Sequence, residues 1–498
     1  MKKAFKWFGM IGLVIVGMIG GKFIFEGPDA SAPPPVPVYF SQDNSGVADG
    51  SSQIVAPMSG AVIEVRDGDS IQAAVNDAQP GDLIRVYPGK YVETVYIDKD
   101  SISLQGVIVA DRWPELDGEK RLNDAFLYSG NNILIENFKI SRFKGNGIMG
   151  QAGNNFVLRN NWIIDAGVYG IFPQYGTNGL IERNILTGIE DAAIYVGMCD
   201  NVDVRFNEVY GNVAGIEIEN SRHALVEYNY AYDNAGGILV FITPGLPIKT
   251  TYDVIIRNNY VYNNNHENFG APGSIVSMVP PGTGIIVMAG DDVIVENNII
   301  KDNKNVGIVI TDLDFMASVS VDPESEPYPD RLVLLDNIMI NNGTDPVTEI
   351  KALKMASLMT GNLDIVAVGG GVDSCIRDRN RYSTIGLGGY KNCQATDTKA
   401  VTSYMLKNPV PPRETNEENK SKLVYYGVCA GCHAYSTRMI GPPTMTIQAL
   451  YMDNPQGIAD YIANPVHKRK DYPEMPKQDY LAEDLRLDVA KFMLQVKN

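Results

Sequence analysis

The sequence predicts a mainly β chain, a solenoid of stacked coils followed by a small all-α domain, with an apolar helix at the N-terminus. Three observations predict it. A short hydrophobic phrase ending in Asn recurs through the middle of the chain, and a Gly-Ile pair (once Ala-Ile) recurs beside it. Near the end, Cys429-Ala430-Gly431-Cys432-His433 opens a tail whose last apolar residues fall at helical spacing.

The recurring Asn is Asn137, Asn161, Asn184, Asn207, Asn229, Asn259, Asn298 and Asn337, at steps of 24, 23, 23, 22, 30, 39 and 39. Such spacing fits one coil of about 23 residues with three insertions. An inward Asn at each coil can bond to its neighbours above and below, and Asn tolerates the left-handed backbone of a tight corner. The second column is Gly147-Ile148, Gly170-Ile171, Ala193-Ile194, Gly215-Ile216, Gly237-Ile238, Gly284-Ile285 and Gly307-Ile308. Stacking turns each column into a row, so these Ile form an inner stack. Because a strand has period two, the residue after each Ile faces out. That outward row is Met149, Phe172, Tyr195, Glu217, Leu239, Ile286 and Val309, apolar except for Glu217. An apolar stripe of this size has a partner. The first expectation is the chain's own 340–420 segment or its tail; the alternative is a glycan groove.

In chain order, Lys2, Lys3 and Lys6 precede an apolar run from Trp7 to Gly21, then Lys22-Phe23-Ile24-Phe25. Residues 1–25 read as a signal sequence or an N-terminal membrane anchor. The run is about 15 residues without Lys22 and about 19 with it, at the short limit for spanning a bilayer. Ala30-Ser31-Ala32 has the form of a cleavage site, but Pro33-Pro34-Pro35 follows it, which favours the uncleaved anchor. Residues 26–58 form a Pro/Ser/Gly-rich tether. The body is therefore expected in the periplasm or at the cell surface, tethered to the inner membrane. At 498 residues the chain holds more than one domain. A net charge of −17 argues against nucleic acid and tolerates a cationic redox protein or a neutral glycan.

Asp67-Gly68-Asp69-Ser70 before Ile71 reads as a capped helix, Pro80-Gly81-Asp82 as a turn and Leu83–Val86 as a strand. This opening resembles the N-terminal cap of right-handed parallel β-helix proteins, a superfamily with many pectin- and alginate-acting enzymes. The resemblance places a right-handed parallel β-helix at 59–345. Residues 346–412 are expected to be irregular, with a helix near Glu349–Met359, Gly-rich turns and a linker at Asn408–Pro412. Cys375 and Cys393 are expected to pair if the chain is exported, and Cys199 to be a small buried side chain.

The tail, 413–498, carries the c-type haem attachment pattern. Gly441-Pro442-Pro443 and Met475-Pro476 follow, then an amphipathic segment from Glu483 to Lys497. Here the sequence resembles class I monohaem cytochromes c, with helices at about 421–432, 455–463 and 483–496. The resemblance implies one covalent haem c held by Cys429 and Cys432, with His433 as proximal and Met475 as distal iron ligand and Pro442 supporting the haem edge. Met439, Met445, Met452 and His467 compete with Met475. The expected function is then electron transfer to a redox partner protein, the β-helix serving as docking or polymer-binding scaffold.

The alternative function is a carbohydrate-active enzyme. Val168-Tyr169-Gly170-Ile171-Phe172-Pro173-Gln174-Tyr175 resembles the Tyr-Gly-Phe-Asp-Pro-His-Asp motif of mannuronan C5-epimerases in its first half. Phe172 stands for the catalytic Asp, Gln174 for the His and Tyr175 for the second Asp. Phe and Gln cannot exchange a proton near neutral pH, so no catalytic residue is assigned there. Glu217 and Glu219, two apart on one strand, are expected on a solvated face, the alternative being an acid/base or calcium pair. Asp165, Glu190-Asp191, His223 and His266 are expected at bends, turns and an insertion. The acidic run Asp312, Asp314, Asp322, Glu324, Glu326 and Asp330 lacks a recognisable ligand spacing. In fold alone, the solenoid also resembles periplasmic copper-delivery proteins of nitrous oxide reductase, without a Met or His cluster on the coils.

Overall fold

The computed structural model describes residues 60–316 and 322–497. The N-terminal leader and the whole of the tether, residues 1–58, lie outside the described residues. The described residues all belong to one compact unit.

Three parallel sheets of 13, 10 and 11 strands, here sheets A, B and C, wrap a single core. Each coil contributes one short strand to each sheet, and the residues of one coil pair in register with those of the next, as in Val202↔Ala224, Val209↔Ala231 and Ile216↔Ile238. The Ile column behaves as the repeat requires: Ile148, Ile171, Ile194, Ile216, Ile238, Ile285 and Ile308 align in sheet C and are fully buried. Each such Ile contributes about 1.5–3 kcal/mol of burial, so the stack grows more stable coil by coil.

The Asn column forms a ladder. The Asn207 amide donates to Ile181 O (3.0 Å) and Asn229 Oδ1 (3.0 Å), while its own Oδ1 accepts from the N–H and the amide of Asn184 (both 3.0 Å). Asn161, Asn184, Asn229, Asn259 and Asn298 repeat the pattern. Two details differ from the sequence expectation. Asn137 is one position early: Phe138 N–H reaches Asn161 Oδ1, so Phe138 holds the ladder place in that coil. The left-handed residue is the one before each Asn, for example Arg183, Phe206 and Tyr228. A second ladder, Asn212, Asn234, Asn264, Asn303 and Asn342, runs at the next corner.

The coils begin behind helix α1, Ile71–Asp77, whose cap Ser70 accepts from Ala73 N. They also continue past 345. After α2, Thr348–Ala356, the strands Ile365–Val368, Cys375–Ile376, Thr384–Ile385 and Lys391–Asn392 extend sheets A and C. Much of the segment expected to be irregular is therefore solenoid, and Cys375 and Cys393 form a disulfide there. Cys199 is a buried free thiol.

Beyond the disulfide the chain reverses and runs back along sheet A as a strap. Thr398 Oγ1 and its carbonyl receive Arg257 (3.0 and 2.7 Å), Tyr404 N binds Asp203 (3.0 Å), Leu406 N binds Asn178 (2.8 Å) and Val410 N binds Asn155 (2.8 Å). The strap delivers the tail to sheet C. The tail comprises α3, Lys420–Val424, running into a wide turn at Tyr425–Cys429, then α4, Thr444–Leu450, α5, Pro455–Ala463, and α6, Glu483–Gln495. Its apolar residues cluster with Met198 and Leu246 of the solenoid. The expectation of a separate all-α domain is thus corrected: the tail shares a core with the coils inside one compact unit. Among the described residues no helix is long and apolar enough to cross a membrane.

Candidate functional site

Sheet C carries the outward row singled out from the sequence; the tail covers its first part, the insertion around Ile275–Val279 its middle, and α2 packs on Val309. A Cβ at Gly431 would lie 2.6 Å from the Phe172 ring, and one at Gly427 would lie 3.0 Å from Ala152 Cβ. The expectation that the chain covers its own stripe holds, with the tail, the insertion and α2 of the 340–420 segment as the cover. Phe172 packs among Tyr169 and Tyr195, at ring separations of 4.6 and 4.7 Å, and Tyr169 stacks on Tyr195 at 4.5 Å.

The rows then change character. Phe172 lies in the row of Tyr195 and Glu217, and Gln174 in the row of Gly197 and Glu219. Two coils beyond the positions where Phe and Gln replace proton-transfer groups, the same rows therefore supply two carboxyls. Glu217 and Glu219 point outward as expected, but they are not solvated: they are 3% and 1% exposed. They line a small cavity with Tyr169, Asp191, Tyr195 and Phe241. Its other wall is Ser274–Val276, from the long insertion, and Met439 and Ile440, from the tail.

Burial dominates the electrostatics. Glu217 and Glu219 are each pushed up to about 8 by desolvation, the Thr243 hydroxyl opposing this at Glu219. Asp191 is raised well above the usual carboxylate range by burial, then by the charges of Glu217 and Glu219. Thr243 Oγ1 donates to Glu219 Oε1, while Glu219 Oε2 and the Tyr195 hydroxyl find no partner among the protein's own groups. An unpartnered buried polar atom costs about 1–3 kcal/mol. Two around one cavity mark a place built for a polar occupant.

The other residues from the sequence fall elsewhere. Gln174 Nε2 donates to Tyr426 O (3.1 Å), and Tyr175 packs on Tyr426 under Arg413. Asp165 pairs with Lys120, and His223 Nδ1 bonds Asp200 (2.6 Å). His266 Nδ1 bonds the Glu267 carbonyl (2.8 Å). Asp322 is taken up by Gly245 N and Lys249.

Cys429 and Cys432 are free thiols, both pushed up to about 12 by burial and so protonated near neutral pH. The buried His433 ring bonds through Nδ1 to the Pro442 carbonyl (2.8 Å) and lies over Gly441. Burial lowers its pKa and keeps it neutral. Met475 packs at the rim of the tail's apolar cluster, as does Cys429.

The chain belongs to the family described as right handed beta helix region, which matches residues 60–207, 167–322 and 243–348 and so covers more than half of it. No characterised protein matches it by sequence. Among solved structures it is similar to the A-module of a mannuronan C-5 epimerase of Azotobacter vinelandii (15% identity, 63% of this chain and 90% of that one, TM-score 0.39). It is also similar to an alginate lyase of Paenibacillus sp. (14%, 58% and 99%, 0.34) and to a DFA-IIIase of Arthrobacter chlorophenolicus (12%, 68% and 99%, 0.40).

The haem expectation is corrected here. Among the described residues no group of three or more His, Cys, Asp or Glu side chains is placed to hold a metal, His433 and its neighbours included. The matched family ends at residue 348, before the tail. Haem c, iron and electron transfer, with the redox partner they required, are withdrawn for Cys429, Cys432, His433, Met475 and Pro442. In the structure Cys429 and Met475 pack against the tail's apolar cluster and His433 bonds the Pro442 carbonyl.

Proposed function

We propose that the protein is a carbohydrate-active β-helix enzyme whose acid and base are Glu217 and Glu219, assisted by Asp191. The observation that carries this is the shared cavity: carboxyls raised to about 8 stand beside the unpartnered Tyr195 hydroxyl and Glu219 oxygen. Near neutral pH such groups divide between acid and carboxylate, the condition for moving protons both ways. A protonated carboxyl gives its proton to the glycosidic oxygen as the C–O bond breaks. Its ionised neighbour takes a proton from water, or attacks the anomeric carbon itself. The lining holds no Lys or Arg to neutralise a uronate, which favours a neutral sugar. We further propose that the protein works outside the cytoplasm, where its Cys375–Cys393 disulfide is stable.

The test is incubation with neutral glycans (fructan, xylan, cello-oligosaccharides) and uronates (alginate, pectin), following new reducing ends and unsaturated ends. Glu217→Gln and Glu219→Gln are each expected to lower turnover by about 10²–10⁴-fold with melting unchanged or raised. A panel on which the wild type makes no product, or variants as active as the wild type, would end the proposal.

A further inference from the structure

The three sheets differ in what lies on them. Among the described residues the strap runs along sheet A and the tail lies on sheet C, whereas sheet B receives neither. Its outer face is tyrosine-rich. One row places Tyr230 beside Tyr260, then Ile299 and Ile338; the parallel row places Tyr210, Tyr232 and Tyr262 side by side. Between the rows, Ala231 and Val261 point inward and are fully buried, so the tyrosines lie outside the solenoid's inner core, Tyr210 packing on the separate cluster of Trp162, Ile164 and Ile185. Tyr230 is 47% exposed and Ile338 46%.

Rings in the second row repeat with the coils. Tyr210 to Tyr232 is 5.1 Å and Tyr232 to Tyr262 is 4.9 Å, both stacked. Tyr260 stacks on Tyr262 at 4.4 Å, and Tyr230 stands edge-on to Tyr260. Adjacent strands fix this repeat at about 4.8 Å, close to the advance of an extended pyranose chain per sugar. A tyrosine offers such a chain both an apolar ring for its C–H faces and a phenol for its hydroxyls. Charge narrows the ligand. These rows carry Glu208 and Lys301 and, toward the N-terminal coils, Lys90, Glu115 and Lys139, where Lys139 pairs with Glu115 and Lys90 with Asp117 and Glu119; on a chain of net charge −17 an acidic polymer finds little free counter-charge.

We propose that the outer face of sheet B is a docking platform for a neutral, ribbon-like polysaccharide lying along the solenoid axis. It stands on residues separate from the carboxyl cavity and does not depend on catalysis there. The test is retention of the full-length protein on amorphous cellulose, insoluble xylan and chitin, with soluble alginate as the acidic comparison. We expect retention on at least one neutral polymer and none on alginate. Tyr230→Ala with Tyr260→Ala should weaken it at least tenfold. Tyr232→Phe with Tyr262→Phe, which keeps the rings, should change it less than threefold, and Glu217→Gln should leave it intact. Melting curves identify any variant that fails to fold, and the Phe pair then carries the comparison. The proposal is overturned if no neutral polymer retains the wild type or if the Ala pair binds as well. It is equally overturned if the Ala pair instead converts a dimer to a monomer in sedimentation, because a second copy would then cover the face.

Discussion

Replacing Asn207 by Ala removes one rung of the ladder and leaves a countable debt of hydrogen bonds. The Asn207 amide donates to Ile181 O and Asn229 Oδ1, and its oxygen accepts from Asn184 N and Nδ2. Asn229 Oδ1 keeps a donor, since Asn207 N–H reaches it at 2.9 Å. Asn184 Nδ2 keeps Leu158 O at 2.9 Å. What is stranded is the Asn184 backbone N–H and one amide hydrogen, both fully buried. At about 1–3 kcal/mol for each stranded donor, the expected loss is about 4 kcal/mol. Urea unfolding should show this as a lower midpoint at unchanged slope. Asn362→Ala, at an exposed position, is the control and should shift stability by no more than about 0.5 kcal/mol. A loss below about 1 kcal/mol for Asn207→Ala would refute the view that the ladder is a stabilising element.

Three further outcomes follow from the structure. Glu217 and Glu219 are raised from 4.5 to about 8, so the folded state binds more protons than the unfolded chain between those values. Stability should therefore be full below about pH 4.5 and fall as pH rises to about 8, by up to about 1.4 kcal/mol per pH unit per group; Glu217→Gln should flatten the slope measured by urea midpoints. Gly427→Val places carbon 3.0 Å from Ala152 Cβ and 3.1 Å from the backbone of Ala152 and Gln151, which cannot yield as a side chain would. The tail should loosen at a cost of about 1–3 kcal/mol, read as faster proteolysis at Arg413–Lys422. Cys375→Ser with Cys393→Ser opens a loop with a sequence separation of 18 and should cost about 3 kcal/mol. Melting should fall to the value the wild type shows with reductant, and glycan turnover should not change.

The solenoid was legible because it repeats. A period in Asn and in Gly-Ile needs only local registration, and one misplaced rung, Asn137, reflects a phrase that reads Asn-Phe where the next coil reads Asn-Asn. The outward direction of Glu217 and Glu219 was legible for the same reason. Their burial was not, because it depends on Ser274–Val276 and Met439–Ile440, which reach sheet C from 57 to 223 residues away. The second ladder carries its own signal, an Asn five residues after each rung from Asn207 to Asn337, and a search at that offset would find it. The tail misled because Cys429-Ala430-Gly431-Cys432-His433 is a complete local pattern, whereas what those side chains meet is decided by the coil surface beneath them.

The reversal after Lys391–Asn392 changes how the whole rod should come apart. A simple coil array feels only its nearest neighbours and can fray from either end. In this chain one peptide, threaded backwards, hydrogen-bonds to Glu296 and Arg257 near the far end and to Asn178 and Asn155 many coils earlier. Fraying of a terminal coil must therefore peel away contacts in the middle, and the array should melt as one body where an unlaced one would unzip.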